Sequence, residues 1–133
     1  MILYLHGFNS TPDSRKAQTL HDYMRRQGLG ALFACPRLPH RPEQAVDAIE
    51  RELAQRDPRS VTLVGSSLGG FYATWFAERR NLRAVLIQPA VTPYLGSPVF
   101  EIDRPHASEL EFEAVLLLGA IEHLAGQFGE LVQ

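Results

Sequence analysis

Short apolar runs alternate with helical patterns along this chain, and that alternation permits few folds. The runs fall at residues 2–5, 31–34, 61–64, 84–87 and 114–118. Each is the length of a strand buried on both faces, as in a parallel sheet covered by helices. Between the first two lies a helical pattern over 12–27, with apolar positions Ala17, Leu20, Tyr23 and Met24 and a stop at Gly28. Pro36, Pro39 and Pro42 punctuate the loop after the second run. Pro42 suits the first turn of the next helix, which is expected to bury Ala45, Val46, Ile49 and Leu53. A third helical pattern spans 68–79. Residues 89–111 read as irregular, with Pro89, Pro93, Pro98 and Pro105. A last helix over 121–132 carries Ile121, Leu124, Ala125, Phe128, Leu131 and Val132 on one face. At 133 residues the whole is read as one α/β domain.

In such sheets ligands bind beyond the carboxyl ends of the strands, where the strand order reverses. The loops after the first and third runs both belong to that edge. The loop after the third is Gly65-Ser66-Ser67-Leu68-Gly69. It joins an apolar run to a helical pattern rich in aromatics, the setting of a nucleophile elbow. There the turn forces the central residue, Ser67, into a strained backbone conformation and lifts its hydroxyl clear of the sheet. Gly65 and Gly69 are expected because side chains there would collide across the turn.

A serine hydroxyl attacks only when a base takes its proton, and the tetrahedral intermediate needs donors for its oxyanion. One donor would be the backbone N–H of Leu68. The other would come from the loop after the first run, His6-Gly7-Phe8-Asn9-Ser10, through the Phe8 N–H. Gly7 allows close approach there, and His6 is read as a structural residue bonding its own loop. Losing one such donor costs roughly 3–4 kcal/mol of transition-state stabilisation. The competing reading is a plain Gly-rich turn binding a phosphate on its amides. Residues 65–70 lack the Lys-Ser/Thr ending of a P-loop and the six-residue glycine pattern of a dinucleotide site. Ser66 is read as support for the turn, since the glycine frame centres on Ser67.

Composition narrows the partners. The net charge is −2, with basic residues scattered among acidic ones, so no nucleic-acid face is expected. No run is long enough to span a bilayer, and no basic leader precedes an apolar stretch. Cys35 is the only cysteine. It allows no internal disulfide, fits a reducing cytoplasmic setting, and reads as a small core residue. No metal site is expected.

With these pieces in place the chain resembles the YqiA-type, UPF0227-like esterase family of the α/β-hydrolase fold. The resemblance rests on Ile2-Leu3-Tyr4-Leu5-His6-Gly7-Phe8-Asn9-Ser10, on Cys35-Pro36-Arg37-Leu38-Pro39, on Leu63-Val64-Gly65-Ser66-Ser67-Leu68-Gly69-Gly70-Phe71-Tyr72-Ala73-Thr74-Trp75 and on Gln88-Pro89-Ala90-Val91. It covers about the first 95 residues closely. It implies a parallel-sheet α/β-hydrolase sandwich of about five strands, shortened at the C-terminus. It also implies cofactor-free hydrolysis of short-chain carboxylic esters, with Ser67 as nucleophile, Phe8 and Leu68 at the oxyanion hole, and His6, Gly7, Gly65, Gly69 and Gly70 as support.

Later residues depart from the family pattern. Gly119-Ala120-Ile121-Glu122-His123 stands where the resemblance places the acid-bearing turn, so Ile121 replaces the Asp. The family's Gly-Asn-His segment has no counterpart before Gln133. Glu122 is then the candidate acid, and His123 the candidate base by chain order. His123 falls opposite the apolar stripe of its helix. His21 and His40 are weaker candidates, and His106 matches a family histidine outside the triad. The alternative is an inactive or truncated relative serving as a binding module, with self-association through an uncovered sheet edge.

Overall fold

The computed structural model describes residues 1–90. They form a four-stranded, all-parallel sheet in the order β2-β1-β3-β4, flanked by three α-helices. The strands are β1 (Ile2–Leu5), β2 (Phe33–Ala34), β3 (Thr62–Ser66) and β4 (Arg83–Ile87). The helices are α1 (Arg15–Arg26), α2 (Pro42–Ala54) and α3 (Leu68–Arg80). This is the α/β architecture expected from the alternation. The run at 114–118 and the helix at 121–132 lie outside the described residues.

Strand side chains alternate between two apolar layers. Ile2, Tyr4, Val64 and Ile87 face α1 and pack on Ala17, Leu20 and Met24. Leu3, Leu5, Leu63 and Leu86 face the other side and pack on Ala45, Ile49 and Leu53 of α2 and on Phe71 and Phe76 of α3. Both faces are therefore covered, which is why these runs read as continuously apolar. β1 pairs with β2 on one side and with β3 on the other. The strand order reverses between β1 and β3, so the crevice between their following loops is where a ligand belongs.

The boundaries shift for local reasons. α1 begins at Arg15 rather than at 12, because the Ser14 hydroxyl accepts the Ala17 N–H at 3.4 Å and caps the first turn. It ends as expected at Gly28, whose φ of +74° lets the Leu29 N–H bond the Met24 carbonyl at 2.8 Å. The second strand is shorter than the 31–34 run. Gly30–Leu32 closes a 3-10 turn, with the Leu32 N–H on the Leu29 carbonyl, and only Phe33–Ala34 pairs with β1. β3 starts one residue later than the apolar run at 61–64 and continues through Gly65 and Ser66, which stay in register with Leu86 and Ile87. Val46 in α2 is half-buried rather than buried.

Candidate functional site

The turn after β3 has no intervening loop. β3 ends at Ser66, Ser67 stands alone, and α3 starts at Leu68. Ser67 has φ 52° and ψ −117°, a conformation that non-glycine residues avoid and that costs on the order of 1–3 kcal/mol. Ser67 is exposed while Gly65, Ser66, Gly69 and Gly70 around it are buried. The bend thus presents one hydroxyl at the carboxyl edge of the sheet.

Close backbone approach holds the bend in place. A Cβ at Gly65 would sit 2.3 Å from the Gly69 carbonyl oxygen, and one at Gly69 would sit 1.9 Å from the Leu5 carbonyl oxygen. A Cβ at Gly70 would sit 2.7 Å from the Pro89 Cβ. The three glycines named from the sequence therefore let α3 press against β1 and the loop after β4. The end of β4 and the loop after it also brace Ser67 directly. The Ser67 N–H donates to the Ile87 carbonyl at 3.0 Å, and the Ala90 N–H donates to the Ser67 carbonyl at 2.9 Å. These contributions of Ile87, Pro89 and Ala90 were not anticipated. A proline directly beyond an apolar run was the available signal, but its partner across the sheet is not visible in one dimension.

The loop after β1 is fixed by His6. This residue is only 3% exposed, and both ring nitrogens are engaged. The Leu38 N–H donates to Nε2 at 2.9 Å, so Nε2 carries no proton; Nδ1 then donates to the Gly7 carbonyl, also at 2.9 Å. His6 is the structural residue expected from the sequence, and it ties the loop after β2 to the loop after β1. Gly7 brings that loop against the bend: a Cβ there would lie 3.4 Å from the Ser67 Cβ and 3.9 Å from its Oγ. The loop turns back at Asn9, which has φ 53°, and the Ser10 N–H closes onto the Gly7 carbonyl. Residues with positive φ gather at this edge, with Asn9 after β1, Ser67 after β3 and Gln88 after β4.

Phe8 and Leu68 line one cleft together with Gly7, Leu38, His40 and Tyr72. Among the described residues, neither the Phe8 nor the Leu68 amide donates to another protein group. Phe8 and Leu68, whose amides have no acceptor among the described residues, thus both line the cleft next to the exposed Ser67. Beneath the bend, on the α1 side, the Lys16 ammonium lies 3.5 Å from the buried Ser66 hydroxyl. The Tyr4 phenol lies close to the same hydroxyl without closing a hydrogen bond of normal geometry, and burial pushes its pKa up to about 12. Burial likewise pushes the Cys35 thiol up to about 12, with Asp13 adding to the rise. Cys35 packs half-buried against the α1 layer, consistent with the small-core-residue reading.

The remaining histidines divide clearly. The His21 ring stacks on Phe33 with centroids 4.6 Å apart, away from the bend. His40 is exposed at the cleft. Glu122, His123 and His106 lie outside the described residues. No cluster of three metal-binding side chains occurs among the described residues, and no helix there is long and apolar enough to cross a membrane.

A parallel sheet with a strained serine at its central strand-to-helix turn defines an α/β protein with a candidate site at the topological switch. The chain belongs to UPF0227, an uncharacterised protein family, whose model matches residues 1–113. It is 28% identical over 106 residues to a UPF0227 protein of Shewanella sediminis (strain HAW-EB3), an alignment covering 79% of this chain and 59% of that one. It is 30% identical over 110 residues to a UPF0227 protein of Shewanella woodyi (strain ATCC 51908 / MS32), with the same coverage of 79% and 59%. The chain therefore spans about three-fifths of the length of these curated relatives.

Proposed function

We propose that this chain is a serine hydrolase of small carboxylic esters with short acyl groups. One observation carries the reading: an exposed hydroxyl, on a backbone strained to φ 52° and ψ −117°, stands beside a cleft lined by Phe8 and Leu68, whose amides serve no other protein acceptor among the described residues. A turn that only bound phosphate would need amides and no strained serine at its apex.

In this reading the Ser67 Oγ attacks the acyl carbon. Charge moves onto the carbonyl oxygen, where the Phe8 and Leu68 amides receive it. The intermediate collapses, the C–O bond to the alcohol breaks, and the alcohol leaves with a proton. Water then releases the acyl group as a carboxylate and restores the serine. His6 is not the base that takes the Ser67 proton, because Nε2 already accepts from Leu38 and Nδ1 donates to Gly7. Its part is to hold the Phe8 loop at the hydroxyl. The sequence candidates for acid and base, Glu122 and His123, belong to the residues beyond those described. The reaction as written uses no cofactor, and its substrate is a small-molecule ester.

A fluorophosphonate probe tests the proposal. It should label the wild type and leave Ser67→Ala unlabelled, and hydrolysis of p-nitrophenyl butanoate should fall with the same substitution. Absence of labelling in a folded sample refutes the enzyme reading and leaves the binding module in its place.

A further inference from the structure

We infer that the cleft beside the Phe8 and Leu68 amides is the acyl pocket, and that His40 sets its depth and so restricts this chain to short acyl groups. The inference rests on the hydrolase reading and goes beyond it, because it assigns specificity to one side chain outside the reacting groups.

The cleft lies between two loops. One, after β1, supplies Gly7 and Phe8; the other, after β2, supplies Leu38 and His40; Leu68 and Tyr72 of α3 complete it. If the Phe8 amide receives the carbonyl oxygen, the chain attached to that carbon enters the space beside the Phe8 side chain. That space is small, about 20 Å³ in volume. Phe8 is 62% exposed, and His40 is exposed as well, so the two stand at the open side. Their rings meet edge to face, with centroids 5.5 Å apart and planes at 68°, and so join the two loops.

His40 is also held on a stiff support. Pro39 precedes it and Pro42 follows two residues on, each with its φ fixed by the ring. The Leu38 N–H, two residues before His40, is fastened to the buried His6 imidazole. The backbone on either side of His40 is thereby restrained. A longer chain that follows the cleft along the Phe8 side chain meets the His40 imidazole packed edge to face on it.

The experiment compares kcat/KM for p-nitrophenyl butanoate and octanoate in wild type, His40→Ala and His40→Phe. The wild type should prefer butanoate. One methylene more or less in an apolar pocket changes specificity by about tenfold or more, so His40→Ala should raise the octanoate-to-butanoate ratio by about tenfold. His40→Phe restores the bulk without the imidazole nitrogens and should return the ratio to near the wild-type value. An unchanged ratio in His40→Ala, with Ser67-dependent turnover intact, overturns the inference. A second measurement needs no turnover: binding of the product carboxylates, butanoate and octanoate, to Ser67→Ala with and without His40→Ala, followed by NMR shifts of Phe8. Octanoate should gain affinity about tenfold over butanoate when His40 is truncated. Equal gains, or none, overturn the inference whether or not hydrolysis is seen. The expected gain in a protein whose Ser67 never turns over counts against the hydrolase reading alone.

Discussion

Gly69→Ala offers the sharpest test of how the site is built. The added Cβ would lie 1.9 Å from the Leu5 carbonyl oxygen, 2.5 Å from the Leu5 carbonyl carbon and 2.8 Å from the His6 carbonyl oxygen. All three are backbone atoms at the end of β1, which is paired on both sides and cannot swing away. To reach ordinary contact at 3.4 Å, the start of α3 and the end of β1 must separate by about 1.5 Å. Overpacking of this kind costs about 1–3 kcal/mol. Alanine returns at most about 1 kcal/mol as a better helix former than glycine. The net loss should be up to about 2 kcal/mol, read as a lower urea midpoint and a melting temperature down by up to roughly 8 °C. Activity should fall further than stability explains. The displaced segment runs directly into Gly7 and Phe8, and a misplacement of about 1 Å in a reacting assembly costs on the order of 10²-fold. Gly28→Ala is the control. Its φ of +74° makes alanine unfavourable there, but nothing lies within 4 Å of the new Cβ. It should cost about 1 kcal/mol and leave p-nitrophenyl butanoate hydrolysis unchanged. Gly69→Ala with the wild-type midpoint and wild-type activity would refute the claim that β1 and α3 touch backbone to backbone.

Three further outcomes are expected. Ser67→Gly should be more stable than Ser67→Ala by about 1 kcal/mol in chemical denaturation, because glycine alone relieves the strain at φ 52°, ψ −117°; equal stabilities would mean that the bend stores no strain. His6→Ala should cost about 2–3 kcal/mol by leaving the buried Leu38 N–H without its acceptor, and should lower kcat through the Phe8 loop even when the folded fraction is allowed for. At alkaline pH the stability should fall as pH rises from about 9 toward about 12. The folded protein keeps Cys35 and Tyr4 neutral up to about 12, while the unfolded chain ionises them from near 9 and 10, so unfolding releases protons across that window. Cys35→Ala should flatten the decline, and an identical pH profile for that variant would contradict the raised thiol pKa.

Much of the architecture was legible because local chemistry and global fold agree. Apolar runs covered on both faces, Gly28 as a helix stop and Pro42 as a helix start each carry their meaning within a few residues. The spacing of Gly65, Ser67 and Gly69 announced a sharp turn for the same reason, since the collision between Gly65 and Gly69 is itself local. Strand limits were less legible. The 3-10 turn at Gly30–Leu32 shortens β2 although Ala31 and Leu32 are apolar, and the ladder to β4 extends β3 through Gly65 and Ser66 although neither is.

Sequence alone determined which residue types could meet: a serine between small neighbours, and a His-Gly-Phe segment leading out of the first strand. Only the tertiary structure decided what His6 does, because its partner Leu38 is 32 residues away and reaches it through the parallel pairing of β1 with β2. The same holds for the brace from Ile87 and Ala90 to Ser67, and for the meeting of Phe8 with His40. Backbone conformation is set by neighbours along the chain, and so it can be read there. Which amide stays unused, and which ring closes a cleft, depends on strand order, and strand order is fixed only when the sheet assembles.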